Sequence, residues 1–290
     1  MRKLILIFSV ILVMFSVVLF LGFRKRNNDK EEVTYSIKTA YSYLSEGPLK
    51  FDVKIYSNLE DSLLNNCKEA QIHLHDQKEE SVLTVNVNSV HITNNTMYIG
   101  EEYFEYTISL SVDIDMIKIP NCYMTITFTN KTYSFEIGSF EIKPNDYAEN
   151  ILKITNLYGV RKYDNLTLAG IVITITNPFN DELRVTSVNI GDGYNVILNK
   201  KHFVNISDSL IFEEYIEEYE TKSDYLMLKP NETKTYLLPI ESSNDVFLCN
   251  CYMIFDLNGT EYYLSNFTYI KTNDLDALSR YLSKGVIYEV

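Results

Sequence analysis

The sequence predicts a mainly β protein: an N-terminal transmembrane helix, then two tandem antiparallel β-sandwiches, with a short inserted helix and a C-terminal helix. Three observations predict it. Leu4–Phe23 is an unbroken apolar run. The chain beyond it alternates apolar and polar residues at period two over many short stretches. Two stretches of the first half recur, in the same order, in the second.

The apolar run comes first. As a helix it is about 30 Å long, the thickness of a bilayer's hydrocarbon core. A cleavable signal peptide has a shorter apolar core, of about 7–15 residues, and a small-residue cleavage site. Here Gly22-Phe23-Arg24-Lys25-Arg26 follows the run, and no Ala precedes Ala40. No Cys stands at the end of the run, the first being Cys67, which excludes a lipoprotein-type anchor. Residues 1–30 are therefore read as a single-pass anchor, helix 4–23, with basic flanks. Arg2 and Lys3 on one side nearly balance Arg24–Arg26 on the other, leaning toward a cytoplasmic C-terminal side. A helix at the extreme N-terminus followed by a long β-rich chain acts instead as an export signal-anchor, so the body is placed outside the cytoplasm, at the cell membrane.

The repeat defines two units. Asn121-Cys122-Tyr123-Met124 recurs as Asn250-Cys251-Tyr252-Met253, 129 positions later. Upstream, Ile55–Leu63 is echoed 120 positions later by Ile175–Leu183. The copies run over 33–144 and 150–271, joined at Lys143-Pro144-Asn145-Asp146, where Pro and Asn-Asp favour a turn. Strands follow from alternation. Phe104, Tyr106, Ile108, Leu110, Val112 and Ile114 share one face, with Glu105, Thr107, Ser109 and Ser111 on the other, as in a half-buried antiparallel sheet. Leu49–Ile55, Ala70–Leu74 and Leu83–Val87 alternate likewise. In the second copy the phase slips at Ala169-Gly170, which predicts a bulge. About seven strands per copy make the pattern of an immunoglobulin-like or fibronectin-like sandwich. The stretch Ile171–Ile190, containing Ile175-Thr176-Asn177-Pro178-Phe179-Asn180-Asp181-Glu182-Leu183, resembles the strand–turn–strand of bacterial immunoglobulin-like modules. That resemblance implies a fold and carries no activity.

Two segments break the β pattern. Phe212, Tyr215, Ile216 and Tyr219 at i, i+3, i+4, i+7 predict an amphipathic helix over Asp208–Thr221. Leu275, Leu278 and Leu282 predict a C-terminal helix over Asn273–Lys284, closed by Gly285 within the 273–290 tail and docked on the second sandwich.

Charge excludes one class of partner. The 260 residues after Lys30 carry 20 Lys/Arg and 38 Asp/Glu, a net −18. Such a surface repels phosphate backbones, which argues against nucleic acid, and it repels anionic lipid except at the basic collar.

Candidate sites are few. Cys122 and Cys251 fall on apolar faces of their strands and read as buried small hydrophobes. A Cys67–Cys122 disulfide is the alternative, suited to an exported domain. Cys249 and Cys251 are too close along one strand to bridge. His73 and His75 share a strand face beside Asp76, a pattern a metal could use, but Ile72 and Leu74 mark the buried face, so both imidazoles are expected in solvent. The acidic clusters Asp113/Asp115 and Glu213–Glu220 lack the Gly-punctuated loop of a calcium site. Phosphate-loop, Gly-x-Ser-x-Gly and His-Glu-x-x-His patterns are absent from the sequence, so no catalytic residue, cofactor or small-molecule substrate is assigned. Seven Asn-x-Ser/Thr sequons occur, at Asn94, Asn130, Asn165, Asn205, Asn231, Asn258 and Asn266. They would be glycan acceptors in a eukaryotic secretory protein. Asn130 and Asn258 also fit the same turn of the repeat.

The expected function is non-enzymatic: a membrane-anchored envelope protein whose tandem domains bind or scaffold another protein or envelope component. Glycan binding through exposed Tyr123 and Tyr252 is the alternative. A metal-dependent hydrolase on His73 and His75 is the third class.

Overall fold

A computed structural model describes residues 30–45, 47–149, 151–162, 166–191, 194–200, 202–203, 211, 223–242, 247–268 and 274–289. The chain is mainly β, as predicted. Its strands are β1 (Thr34–Ile37), β2 (Thr39–Ser45), β3 (Leu49–Ser57), β4 (Gln71–His75), β5 (Val82–Tyr98), β6 (Glu101–Val112), β7 (Ile117–Thr127), β8 (Lys131–Pro144), β9 (Ala148–Glu149) and β10 (Lys153–Arg161). They continue as β11 (Leu168–Thr176), β12 (Leu183–Ile190), β13 (Tyr194–Val196), β14 (His202–Phe203), β15 (Leu226–Leu228), β16 (Thr233–Ser242), β17 (Phe247–Leu257), β18 (Thr260–Thr268), β19 (Leu282–Lys284) and β20 (Val286–Glu289). The predicted membrane helix 4–23 lies outside the described residues. Among the described residues, no helix is long and apolar enough to cross a membrane.

In the first half, β1 pairs with β3, β3 with β6, and β6 with the distal part of β5. The proximal part of β5 pairs with β4, β4 with β7, and β7 with β8. One long strand thus serves both sheets. The faces between them hold the main core, including Phe51, Ile55, Leu74, Ile108, Met124 and Phe135. Burial follows the predicted alternation: Tyr106, Ile108, Leu110 and Val112 are all buried. The second half repeats the pairing, β11 with β16 in one place and β12 with β17 and β17 with β18 in another.

The repeat has a structural cause at its first echo. Ser57 Oγ accepts the N–H of Leu59 at 3.2 Å, and 120 residues later Asn177 Oδ1 accepts the N–H of Phe179 at 3.0 Å. Both are side-chain turns that end a strand. Asn177 goes further. It is fully buried, and its Nδ2 donates to the carbonyls of Asp181 (2.7 Å), Leu228 (3.2 Å) and Lys229 (3.1 Å). It ties the turn after β11 to the segment after β15. Asn177→Ala leaves the buried Leu228 carbonyl a donor short and is expected to cost about 1–3 kcal/mol. Urea unfolding measures this, with Ser57→Ala as a milder comparison. At the predicted bulge, Gly170 pairs with Val160 and Leu168 with Arg161, so Ala169 is skipped.

Residues 34–290 form one compact unit. Within it, β3–β8 pair with one another and β10–β18 largely with one another, two strand sets. The element that joins them is β2, which lies parallel to β8 of the first set and parallel to β17 of the second. Gly138 of β8 permits the first contact. It stands at φ +108, and a Cβ there would meet the backbone N and O of Thr39.

The C-terminal helix expected over Asn273–Lys284 is not formed, a correction to the sequence reading. Asp274 Oδ1 caps the N–H groups of Asp276 (3.0 Å) and Ala277 (3.2 Å), and a single 3-10 turn follows at Ser279–Tyr281. The chain then extends as β19 on β1 and β20 on β8. Leu275, Leu278 and Tyr281 are the buried residues, a spacing of three rather than 3.6. Two open strand edges offered more backbone pairing than a short helix, which is marginal by itself. The docking partners β1 and β8 belong to the first strand set, not the second. The inserted helix expected over 208–221 falls on residues of which only Ile211 is described. That residue makes an isolated parallel bridge with Arg161.

Candidate functional site

The sequence-predicted imidazoles sit on the outer face of β4, opposite Ile72 and Leu74. His73 is half-buried, and its Nδ1 is 3.1 Å from Thr84 Oγ1. His75 departs from expectation: it is 9% exposed rather than in solvent. Tyr123 of the neighbouring strand β7 stacks on it, centroids 6.0 Å apart, and covers the ring. Both ring nitrogens of His75 are engaged, Nδ1 with the Asp76 carbonyl at 2.7 Å and Nε2 with Thr125 Oγ1 at 2.8 Å. Asp76 Oδ1 accepts the N–H of Glu80 at 2.8 Å, closing the turn toward β5. These polar atoms serve the local sheet and turn. Among the described residues, no group of three or more His, Cys, Asp or Glu is placed to hold a metal ion.

Cys67 and Cys122 are free and buried, so the disulfide alternative is not formed. Burial pushes the Cys67 thiol up to about 12 and raises that of Cys122 as well. Thiols held neutral in an apolar core are inert. Cys251 is also buried, with its Sγ 3.6 Å from the Ala40 carbonyl of β2.

Sequence reasoning missed two buried carboxylates, Glu105 and Glu141. Glu105 lies on the face of β6 expected to be solvated, yet it is buried. It accepts from Tyr56 Oη at 3.0 Å and Thr93 Oγ1 at 2.6 Å and pairs with Lys54 Nζ at 2.9 Å. Glu141 of β8 lies beside the β2 seam. It accepts from Tyr252 Oη of β17 at 3.0 Å, with Lys118 and Lys143 Nζ at 3.7 and 3.6 Å. Lys143 also stands 5.7 Å above the Tyr252 ring. Tyr252 is therefore 3% exposed, a correction to its expected place on an open face. The cause is local. The β17–β18 register shifts between Cys251 and Met253, and such an irregularity re-aims a side chain.

The Tyr252–Glu141 contact ties the two strand sets by side chains where β2 ties them by backbone. Tyr252→Phe leaves a buried carboxylate one donor short and is expected to cost about 1–3 kcal/mol. A double-mutant cycle with Glu141→Gln is expected to return a coupling of about 0.5–3 kcal/mol. Purely additive losses would show that the contact contributes nothing to joining the halves.

No family model matches the chain, and no curated protein does. Among solved structures, the chain is similar to BspA_C_WT at 9% identity, over 82% of this chain and 99% of that one, with a TM-score of 0.22. It is also similar to the Streptococcus agalactiae AgI/II polypeptide BspA C-terminal domain (WT) at 8% identity, over 83% and 100% of the two chains, with a TM-score of 0.20.

Proposed function

We propose that the chain is a membrane-anchored, extracytoplasmic and non-catalytic protein whose immunoglobulin-like strand sets present a rigid surface to another protein or envelope component. The observation that carries this reading is the fusion at β2, which makes one continuous sheet of β4, β7 and β8 from the first set and β12, β17 and β18 from the second. Strand order supports the immunoglobulin-like assignment. The sequence β1–β3–β6–β5 corresponds to the A–B–E–D sheet, and β4–β7–β8 to C–F–G. The apolar run Leu4–Phe23 supports the anchor.

Topology is tested by a reporter fused after residue 290. Signal only from an exported reporter is expected, and signal only from the cytoplasm overturns the placement. The partner is tested by a photo-crosslinker at position 123 in native membranes. A discrete protein adduct is expected, and its absence there and at position 73 counts against the scaffold reading.

Glycan binding is a second reading, favoured by the half-buried Tyr123 ring stacked on His75. Tyr252, being buried, does not contribute. A glycan array with wild type and Tyr123→Ala separates the two readings.

A further inference from the structure

The β5–β6 hairpin extends beyond the sheet that carries it. Register sets Thr34 opposite Ser57, Ser57 opposite Phe104 and Phe104 opposite Asn95. From that level the hairpin continues to an Ile99-Gly100 turn, roughly 14 Å past Thr34 at the rise of an extended strand. At its end Ile99 is 75% exposed and Met97 57%. Behind them, Tyr98 and Tyr103 pack edge-on against Tyr35 of β1, with centroids 5.4 and 5.5 Å away.

The turn breaks a backbone rule. Ile99 stands at φ +51 and Gly100 at φ +77. Two-residue turns of this kind favour Asn-Gly, and the β17–β18 turn has that pair, Asn258 at φ +54 and Gly259 at φ +87. A β-branched residue at positive φ is disfavoured. At the hairpin tip the sequence therefore keeps a large apolar side chain against both backbone preference and solvation.

Location supplies a reason. Thr34, which follows the N-terminal segment in sequence, lies at the same end of the sheet as the hairpin tip. The apolar run ends at Phe23, and the segment from there to Thr34 spans no more than roughly 40 Å when fully extended. A bilayer crossed by Leu4–Phe23 lies within reach of the tip. We propose that Met97, Tyr98 and Ile99 enter the headgroup–acyl boundary of that bilayer and fix the orientation of the body on the membrane, a second contact beside the anchor. This rests on the anchor reading above. Tyrosine and large aliphatic side chains suit that boundary, where one end of a residue is apolar and the other wet. Glu101 and Glu102 flank the turn, and Asp276 faces Tyr98. Those acids select a neutral, zwitterionic surface over an anionic one.

The sequence has no tryptophan, so Ile99→Trp in the full chain supplies a sole indole. Met116→Trp, 69% exposed in the β6–β7 connection at the opposite end of β6, is the control. Both are reconstituted in phosphatidylcholine vesicles with and without brominated acyl chains. At position 99 a blue-shifted emission, at least twofold quenched by brominated lipid and shielded from iodide, is expected; the control should show the reverse. Adding phosphatidylserine should weaken the lipid quenching. Iodide access at 99 equal to that at 116 overturns the proposal. So does shielding from iodide without lipid quenching, which would mean that a second copy covers the tip. Ile99→Asn restores the favoured turn pair and is expected to raise the melting temperature; a fall would show that Ile99 serves the fold and would overturn the argument. Vesicle flotation of the wild type reads the anchor separately. A chain that floats with residue 99 in water refutes only the tip contact, and one that does not float refutes both.

Discussion

Gly138→Ala is expected to destabilise the protein by about 2–6 kcal/mol. Two costs combine. At φ +108 an alanine is strained by roughly 1–3 kcal/mol. Its Cβ also lands on the backbone of Thr39, where overpacking adds a further 1–3 kcal/mol or so. The neighbour is backbone and cannot rotate away, so β2 must shift against β8. Gly47 provides the control. It has nearly the same φ, +114, and nothing near its missing Cβ, so Gly47→Ala carries only the first cost. Urea denaturation of the two variants separates strain from collision. Equal losses would show that the approach of β2 to β8 is not tight.

Removing residues 274–290 is expected to leave the chain unable to fold. The segment buries Leu275, Leu278 and Tyr281, each worth about 1.5–3 kcal/mol when fully buried. It also covers the edges of β1 and β8. Open edges pair with other chains. The summed burial approaches the whole stability of an ordinary domain, about 5–15 kcal/mol. Circular dichroism and light scattering of the truncated chain should show lost cooperativity and aggregation. Leu278→Ala is the graded test, with an expected cost of about 2–5 kcal/mol. A truncated chain that melts like the full one would mean that the segment is an ornament.

Alternation made the first strand set legible, because β4, β6 and β7 each present one face to a core and that signal survives in residue order. The same period located the Ala169 bulge. Connections between distant segments were not legible. β2 pairs with strands roughly 100 and 210 positions away, and its sequence, Thr39-Ala40-Tyr41-Ser42-Tyr43-Leu44-Ser45, carries no mark of its partners. Glu105 was assigned to an open face because period-two logic sees only the strand a residue belongs to, not the side chains that neighbouring strands lay over the same face, here Lys54 and Tyr56 of β3 and Thr93 of β5. His75 was misplaced for the same reason: the covering ring comes from Tyr123, on another strand. At the C-terminus, Leu275 and Leu278 fit periods of both three and 3.6, and the choice fell to the strand edges that the tail could reach.

The fusion of two strand sets into one cooperative unit is tested most directly by the native thiols. Cys67 and Cys122 lie in the core of the first set, and Cys251 lies against β2 in the second. The full chain in detergent micelles is equilibrated along a urea series, pulsed with a maleimide, and the labelled sites are read by mass spectrometry. A single urea midpoint shared by Cys67, Cys122 and Cys251 is expected, with all three protected below it. Labelling of Cys251 at a clearly lower urea concentration, while Cys67 and Cys122 stay protected, would contradict the fusion and show two domains that unfold independently.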